Sequence, residues 1–187
     1  MNYLMVVEYN GNLFCGWQIQ NNGRTVQYEL KKALEILFKE DITLFAAGRT
    51  DSGVHAKGQV VNFHSDKQLD ESELEYRLNA ILPRDVVVRK VKIVDDDFHA
   101  RFSAIAREYE YLLHPGKSAI YNGLCWQYRR FIDDSFLELN EQVVEILGEK
   151  DFKSFCKSAT KLEHYRCFVE FAKLEKKKRF FLFFYKS

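Results

Sequence analysis

Up to Val94 the chain alternates strand-like and helix-like hydrophobic patterns, and this order constrains the fold more than any other feature. Asn2–Tyr9 is rich in β-formers and reads as a strand, followed by a turn signal at Asn10-Gly11-Asn12 and a loop through Asn21-Asn22-Gly23. Thr25 is placed to cap a helix on which Val26, Leu30, Ala33, Leu34 and Leu37 share one face. Lys31, Lys32, Glu35 and Lys39 form its opposite, solvated face. Leu44–Ala47 and Gln59–His64 are the next strands. Asp70–Ile81 is a second helix, with Leu69 ahead of it, Leu74, Leu78 and Ile81 inward, and Pro83 as its stop. Asp85–Val94 closes the series with the β-branched run Val86-Val87-Val88. The order β-α-β-β-α-β is that of a split βαβ unit.

Asp95-Asp96-Asp97 is a short acidic joint, so the sequence predicts two parts, residues 1–97 and 98–187. A metal could sit on such a triplet, but adjacent carboxylates on a link are more often simply solvated. In the second part Arg107–Leu113 and Leu124–Arg130 read as strands. Asp134–Leu147 reads as a helix with Phe136, Leu139, Val143 and Ile146 or Leu147 inward, and Asp151–Phe155 as a short helical turn. Arg166–Leu174 and Arg179–Lys186 read as strands joined at a charged hairpin tip, Glu175-Lys176-Lys177-Lys178. No sequence repeat relates the two parts. The expected fold class is α+β: two fused split βαβ (ferredoxin-like) halves, a mostly antiparallel sheet with helices on one face, the second half incomplete.

The 187 residues suffice for one sizeable core or two small fused ones. Net charge is only +1, so a nucleic-acid partner requires the basic residues to be gathered on one face. Sixteen Phe and ten Tyr exceed what one would expect, and while most should be core, a few are available to stack on bases. Cys15, Cys125, Cys156 and Cys167 have no metal-ligand spacing and read as free thiols of a reducing compartment. The start lacks a basic leader segment and no apolar run reaches membrane-spanning length, which points to a cytoplasmic protein without a membrane partner.

Between the second and third strands lies Gly48-Arg49-Thr50-Asp51-Ser52-Gly53-Val54-His55-Ala56. Glycines at 48 and 53 permit backbone conformations closed to other residues. Arg49 and Asp51, two apart, fall on the same side of an extended segment, and a carboxylate beside a guanidinium stays ionised. From pattern alone this is a nucleophile, a base, or a turn Asp paired with an Arg, and the last is the plainest of the three.

The whole stretch, with Gln59-Val60 behind it, closely resembles the active-site motif of the TruA family of tRNA pseudouridine synthases, which usually has Ala where this chain has Ser52. Further resemblance runs in order along the chain. It includes Tyr9-Asn10-Gly11, Gly16-Trp17-Gln18 with Gln20, Thr25-Val26-Gln27, Leu78-Asn79 with Leu82-Pro83, Phe98–Ala104 with Arg107–Tyr111, and a weaker match at Asp151-Phe152. The resemblance implies isomerisation of uridine to pseudouridine in the anticodon stem-loop of tRNA, with no cofactor and no metal, by a homodimer. It makes Asp51 the catalytic residue. It gives Arg49 the space of a flipped-out base and Tyr109 the stacking platform for the uracil, where pattern alone would make Tyr109 an ordinary core residue. Arg101 and Ser103 would bind backbone phosphates, with a structural pair to Asp97 as the alternative for Arg101. Gln18 would help position RNA, Trp17 would be core, and His55 would hold the loop through a side-chain hydrogen bond.

The family continues into an Asn-x-Phe-Leu motif and an Arg that pairs with the catalytic Asp, whereas this sequence ends at Phe184-Tyr185-Lys186-Ser187. The resemblance therefore implies a C-terminally truncated member, and leaves an inactive remnant or a non-catalytic tRNA-binding module as the rival. An RRM-like binding module is disfavoured, because no Lys/Arg-Gly-aromatic-Gly-Phe run is present.

Overall fold

A computed structural model describes residues 1–129, 133–156, 165–177 and 181–186. The chain divides into two compact units, Met1–Ala104 and Ile105–Ser187. In the first, strands β1 (Asn2–Tyr9), β2 (Phe45–Ala46), β3 (Ala56–His64) and β4 (Val86–Val94) form one sheet in the order β2-β3-β1-β4. Every pairing in it is antiparallel. Helix α1 (Val26–Phe38) joins β1 to β2, and α2 (Glu71–Ile81) joins β3 to β4. This is the split βαβ arrangement that the hydrophobic order predicts.

Alternation along β1 puts Tyr3, Met5, Val7 and Tyr9 on one face, all buried. They share a core with Val26, Leu30, Ala33 and Leu34 of α1, Leu74 and Leu78 of α2, and Val61, Phe63, Val86, Val88 and Val91 of the neighbouring strands. Both helices thus cover the same face of the sheet. Thr25 is the expected cap of α1, its Oγ1 accepting from Tyr28 N–H, and α2 is capped by Asp70, whose Oδ1 accepts from Ser72 and Glu73 N–H. Three local expectations need correction. Ile81 is exposed rather than inward, because α2 ends there and Leu82 takes the buried position. Phe38 completes the inner face of α1, where Leu37 is only half-buried. The strand before the glycine-bracketed loop is two residues long, and the one after it starts at Ala56.

Two buried asparagines carry the chain past β4. Asn2 Nδ2 donates to the carbonyls of Asp95 and Phe98 at 2.9 and 2.8 Å. Asn62 Nδ2 donates to Asn2 Oδ1 at 3.0 Å, and Asn62 Oδ1 accepts from Ala100 N–H at 2.9 Å. Residues 95–100 are thereby bonded to β1 and β3, which places the acidic joint and Phe98–Ala104 in the first unit.

The second unit contains β5 (Glu108–His114), β6 (Trp126–Gln127), α3 (Asp133–Gln142), β7 (Gly148–Asp151), β8 (Arg166–Val169), β9 (Phe171–Lys176) and β10 (Phe181–Lys186). Its main sheet has the order β6-β5-β10-β9, antiparallel except for the short parallel β5–β6 pair, and β7 and β8 form a separate antiparallel ribbon. The α+β class with mostly antiparallel sheets therefore holds through both units. Several expectations change in detail. Among the described residues of Leu124–Arg130, strand is confined to Trp126–Gln127. The third helix stops at Gln142 and tightens to a 3-10 turn over Val143–Ile146. Leu139 on it is exposed, while Val143 packs beside the buried Leu113 and Leu174. The helical turn after Asp151 is confined to Lys153–Phe155. The run Arg166–Leu174 is broken at Glu170, where the chain leaves its pairing with β7 and joins β10, with Glu170 N–H donating to Lys186 O at 2.9 Å. Arg130, Lys178, Arg179 and Phe180, and the side chain of Phe136, lie outside the described residues. Among the described residues no helix is long and apolar enough to cross a membrane.

Candidate active site

The loop between β2 and β3 is held by hydrogen bonds to β3, to the end of β1 and the segment after it, and within itself. At its entry Ala47 N–H donates to Val60 O at 2.9 Å, and the Gln59 amide donates to Gly48 O. Trp17 N–H donates to Thr50 O at 3.0 Å, and the hydroxyls of Thr50 and Tyr9 lie 2.8 Å apart. The Phe14 carbonyl accepts twice, from Gly53 N–H and from Ser52 Oγ, each at 3.2 Å. Val54 N–H closes a turn onto Asp51 O at 3.2 Å. Gly11 N–H donates to His55 Nδ1 at 3.2 Å, the loop-holding role expected of that histidine.

Two glycines make the close approach possible. Gly16 has φ +94°, and a Cβ there would stand 2.6 Å from the Thr50 carbonyl oxygen. A Cβ on Gly11 would stand 2.1 Å from Val54 O. Both neighbours are backbone, so neither can move aside without moving the loop. Gly53, with φ +79°, supplies the left-handed residue of the turn after Asp51.

Bound this way, the loop presents Arg49, Thr50, Asp51 and Ser52 to a cleft of about 360 Å³ whose other wall is Cys15 and Trp17–Gln20. The Arg49 and Asp51 side chains are exposed, as is Gln18 across from them, while Trp17 is buried beneath. The structure thus brings Asp51, Arg49 and Gln18 together. Ser103 instead lines a second cleft, of about 460 Å³, with Ile93, Val94, Asp95, Asp97 and Phe98. Its hydroxyl accepts from His99 N–H at 3.1 Å. Arg101 lies on the same turn, exposed, its guanidinium 5.6 Å from the Phe102 ring centre. Tyr109 belongs to the second unit. It stands opposite Tyr185 in the β5–β10 register, and the two rings stack at 4.7 Å with 12° between their planes. About two-fifths of Tyr109 remains exposed. Among the described residues no group of three or more His, Cys, Asp or Glu side chains is arranged to hold a metal.

One residue that supports Phe14 was not singled out in the sequence. Arg24 forks onto Asp85 at 2.6 and 3.0 Å and reaches Glu29 at 2.5 Å. Its guanidinium also lies 4.2 Å from the centre of the Phe14 ring. The hydrogen bond to Asp85 holds its proton more tightly than in an ordinary arginine. Arg24 therefore fixes the residue whose carbonyl anchors Ser52 and Gly53. The local signal was an Arg just before the cap, five residues from Glu29 and so within reach of it across the first helical turn, but the main partner, Asp85, lies far along the chain.

A family model described as tRNA pseudouridine synthase matches residues 5–103. The chain is 41% identical over 165 residues to the tRNA pseudouridine synthase A of Bacillus licheniformis, covering 87% of this chain and 67% of that protein. It is 40% identical over 169 residues to the Bacillus subtilis protein of the same name, with the same coverage. With the tRNA pseudouridine synthase A of Francisella tularensis subsp. novicida the identity is 41% over 166 residues, 85% of this chain and 63% of the relative. The aligned region thus spans about two thirds of the length of these curated relatives. The matched residues 5–103 contain the whole Asp51 cleft.

Proposed function

This chain belongs to the tRNA pseudouridine synthase family, and on that premise we propose that it isomerises uridine to pseudouridine in the anticodon stem-loop of tRNA, with Asp51 as the catalytic residue. The supporting observation is the cleft itself: an exposed carboxylate on a loop held by its flanking residues, with an arginine on the same wall and a glutamine across from it. Pseudouridine formation breaks the bond from the ribose C1′ to uracil N1, turns the base, and rejoins C1′ to C5. A proton leaves C5 and one is gained at N1. Neither oxidation nor transfer to a second molecule occurs, so the proposed reaction needs no cofactor. A single anchored carboxylate suits such chemistry, as a nucleophile towards base or ribose or as a base towards a ribose proton.

A uridine within a stem must first be unstacked, at a cost of a few kcal/mol. Arg49, exposed in the same cleft, is proposed to fill the vacated space, and Gln18 to position the RNA. Tyr109 is proposed to hold the uracil by stacking, worth roughly 1–3 kcal/mol per base. Arg101 and Ser103 are proposed to contact backbone phosphates. The proposed setting is the cytoplasm, in which the four free thiols are at home, and the proposed assembly is a homodimer, which sedimentation of the purified chain tests directly.

The decisive experiment compares wild-type and Asp51→Asn protein on an unmodified tRNA transcript, reading pseudouridine by mass spectrometry. The near-isosteric amide is expected to leave the unfolding midpoint unchanged and abolish product. Product from Asp51→Asn at a rate near wild type would refute the assignment. Binding of tRNA by a wild-type chain that yields no product would favour the non-catalytic binding module instead.

A further inference from the structure

We propose that Tyr9 is a positioning residue for Asp51, acting through the hydroxyl of Thr50. The inference rests on the reading of Asp51 as the catalytic residue and extends it to a side chain outside the cleft. Tyr9 is the last residue of β1 and the last inward position of its alternation. Its ring is buried in the core, 6.1 Å from that of Trp17. A phenylalanine would fill this volume equally well, so the phenol oxygen needs a separate account. That oxygen lies 2.8 Å from Thr50 Oγ1, on the residue immediately before Asp51.

Thr50 is thus gripped at two points: its carbonyl by Trp17 N–H, and its side chain by Tyr9. On the other side of Asp51, Ser52 and Gly53 are gripped by the Phe14 carbonyl. The Asp51 side chain projects from a backbone fixed both before and after it. Of these anchors, the Tyr9–Thr50 bond joins the loop directly to the sheet, because Tyr9 is itself a strand residue paired to Ala56 and Val86. Tyr3, at the opposite end of β1, shows the contrasting structural use of a phenol: its hydroxyl bonds the backbone of Lys67 and Leu69, away from the cleft. Burial also raises the Tyr9 phenol above its ordinary value, which keeps it neutral and hydrogen-bonding throughout the working pH range.

The test is a set of single-atom changes: Tyr9→Phe, Thr50→Val, the Tyr9→Phe/Thr50→Val double variant, and Thr50→Ser, with Asp51→Asn as reference. Small misplacements of a reacting group cost up to ~100-fold in rate, and the loss of one neutral tether sets the expectation at about tenfold. Tyr9→Phe and Thr50→Val are expected to lower kcat about tenfold with KM for tRNA changed less than twofold. The double variant should be no worse than either single one, and Thr50→Ser, which keeps the hydroxyl, should stay within about twofold of wild type. Wild-type kcat in Tyr9→Phe, losses that multiply in the double variant, or a Thr50→Ser as poor as Thr50→Val would each overturn the proposal. An active Asp51→Asn would overturn the catalytic reading and this proposal with it. An inactive Asp51→Asn beside a fully active Tyr9→Phe overturns this proposal alone. Amide hydrogen exchange gives a readout that needs no turnover. Tyr9→Phe should raise exchange across residues 50–54 at least tenfold while α1 and β1 are unchanged, and unaltered loop exchange would overturn the proposal.

Discussion

Replacing Gly16 by alanine should separate a glycine required by its neighbours from one required only by its φ. Gly16 combines φ +94° with a backbone oxygen 2.6 Å from where a Cβ would stand. Left-handed backbone costs an L-residue about 1–2 kcal/mol. The contact is too short to survive, so the Thr50 carbonyl must withdraw, and its hydrogen bond from Trp17 N–H, 3.0 Å long, is strained or lost at about 1 kcal/mol more. The expected destabilisation is therefore about 2–3 kcal/mol. Gly53 is the control: its φ is +79°, but no atom beyond its two chain neighbours lies within 4 Å of its would-be Cβ, so Gly53→Ala should cost only the conformational part, about 1–2 kcal/mol. Urea unfolding with unchanged m-values measures both. Because Thr50 adjoins Asp51, Gly16→Ala should also lose more turnover than its loss of stability explains. The reasoning fails if Gly16→Ala is no more destabilising than Gly53→Ala, or if its folded fraction turns over at the wild-type rate.

Two further outcomes follow from charged groups in the first unit. Arg24→Gln should lower unfolding free energy by about 1–2 kcal/mol, discounted for an arginine side chain one-third exposed, and Arg24→Lys should recover less than half of that, since an ammonium cannot fork onto Asp85 or lie flat against Phe14; denaturant midpoints of the three proteins decide it. The Glu71 carboxylate is held below its ordinary 4.5, first by Ile93 N–H and then by Lys92, so its contribution is present above that value and disappears as pH falls through the lowered one. Glu71→Gln should therefore be less stable than wild type at pH 7 and lose less stability between pH 5 and pH 3, as followed by thermal midpoints against pH.

The parts of the fold legible in the sequence are those where a local rule and the tertiary environment agree. Thr25 caps because its side-chain oxygen reaches an orphan N–H group whatever packs beyond. The alternation of β1 survives because one of its faces is core. Strand β7 was not legible: Gly148-Glu149-Lys150-Asp151 has no strand-forming composition and is strand only because β8 pairs with it. The Asn2–Asn62 pair was equally hidden, though a polar residue at a strand position where burial is expected was a usable signal.

At the candidate site the motif and the loop-holding role of His55 were legible, while the other supports were not. The sequence emphasised Arg49 beside Asp51, a side-chain relation read from spacing of two. What holds the loop is mainly backbone: the carbonyls of Phe14 and Thr50, and the absence of a Cβ at Gly11 and Gly16. Such contacts leave little trace in residue chemistry, because a carbonyl is supplied by every residue and a close approach shows only as a glycine far from the motif. Tyr9, Gly11, Phe14 and Gly16 all lie within a few residues of the end of β1, opposite a loop that follows β2. Their adjacency in space comes from the antiparallel order β2-β3-β1, which brings the end of β1 against the start of β3. The geometry of Asp51 is therefore set by the sheet through the segment that leaves it, and changes in that segment should disturb the site as directly as changes within Gly48–Ala56.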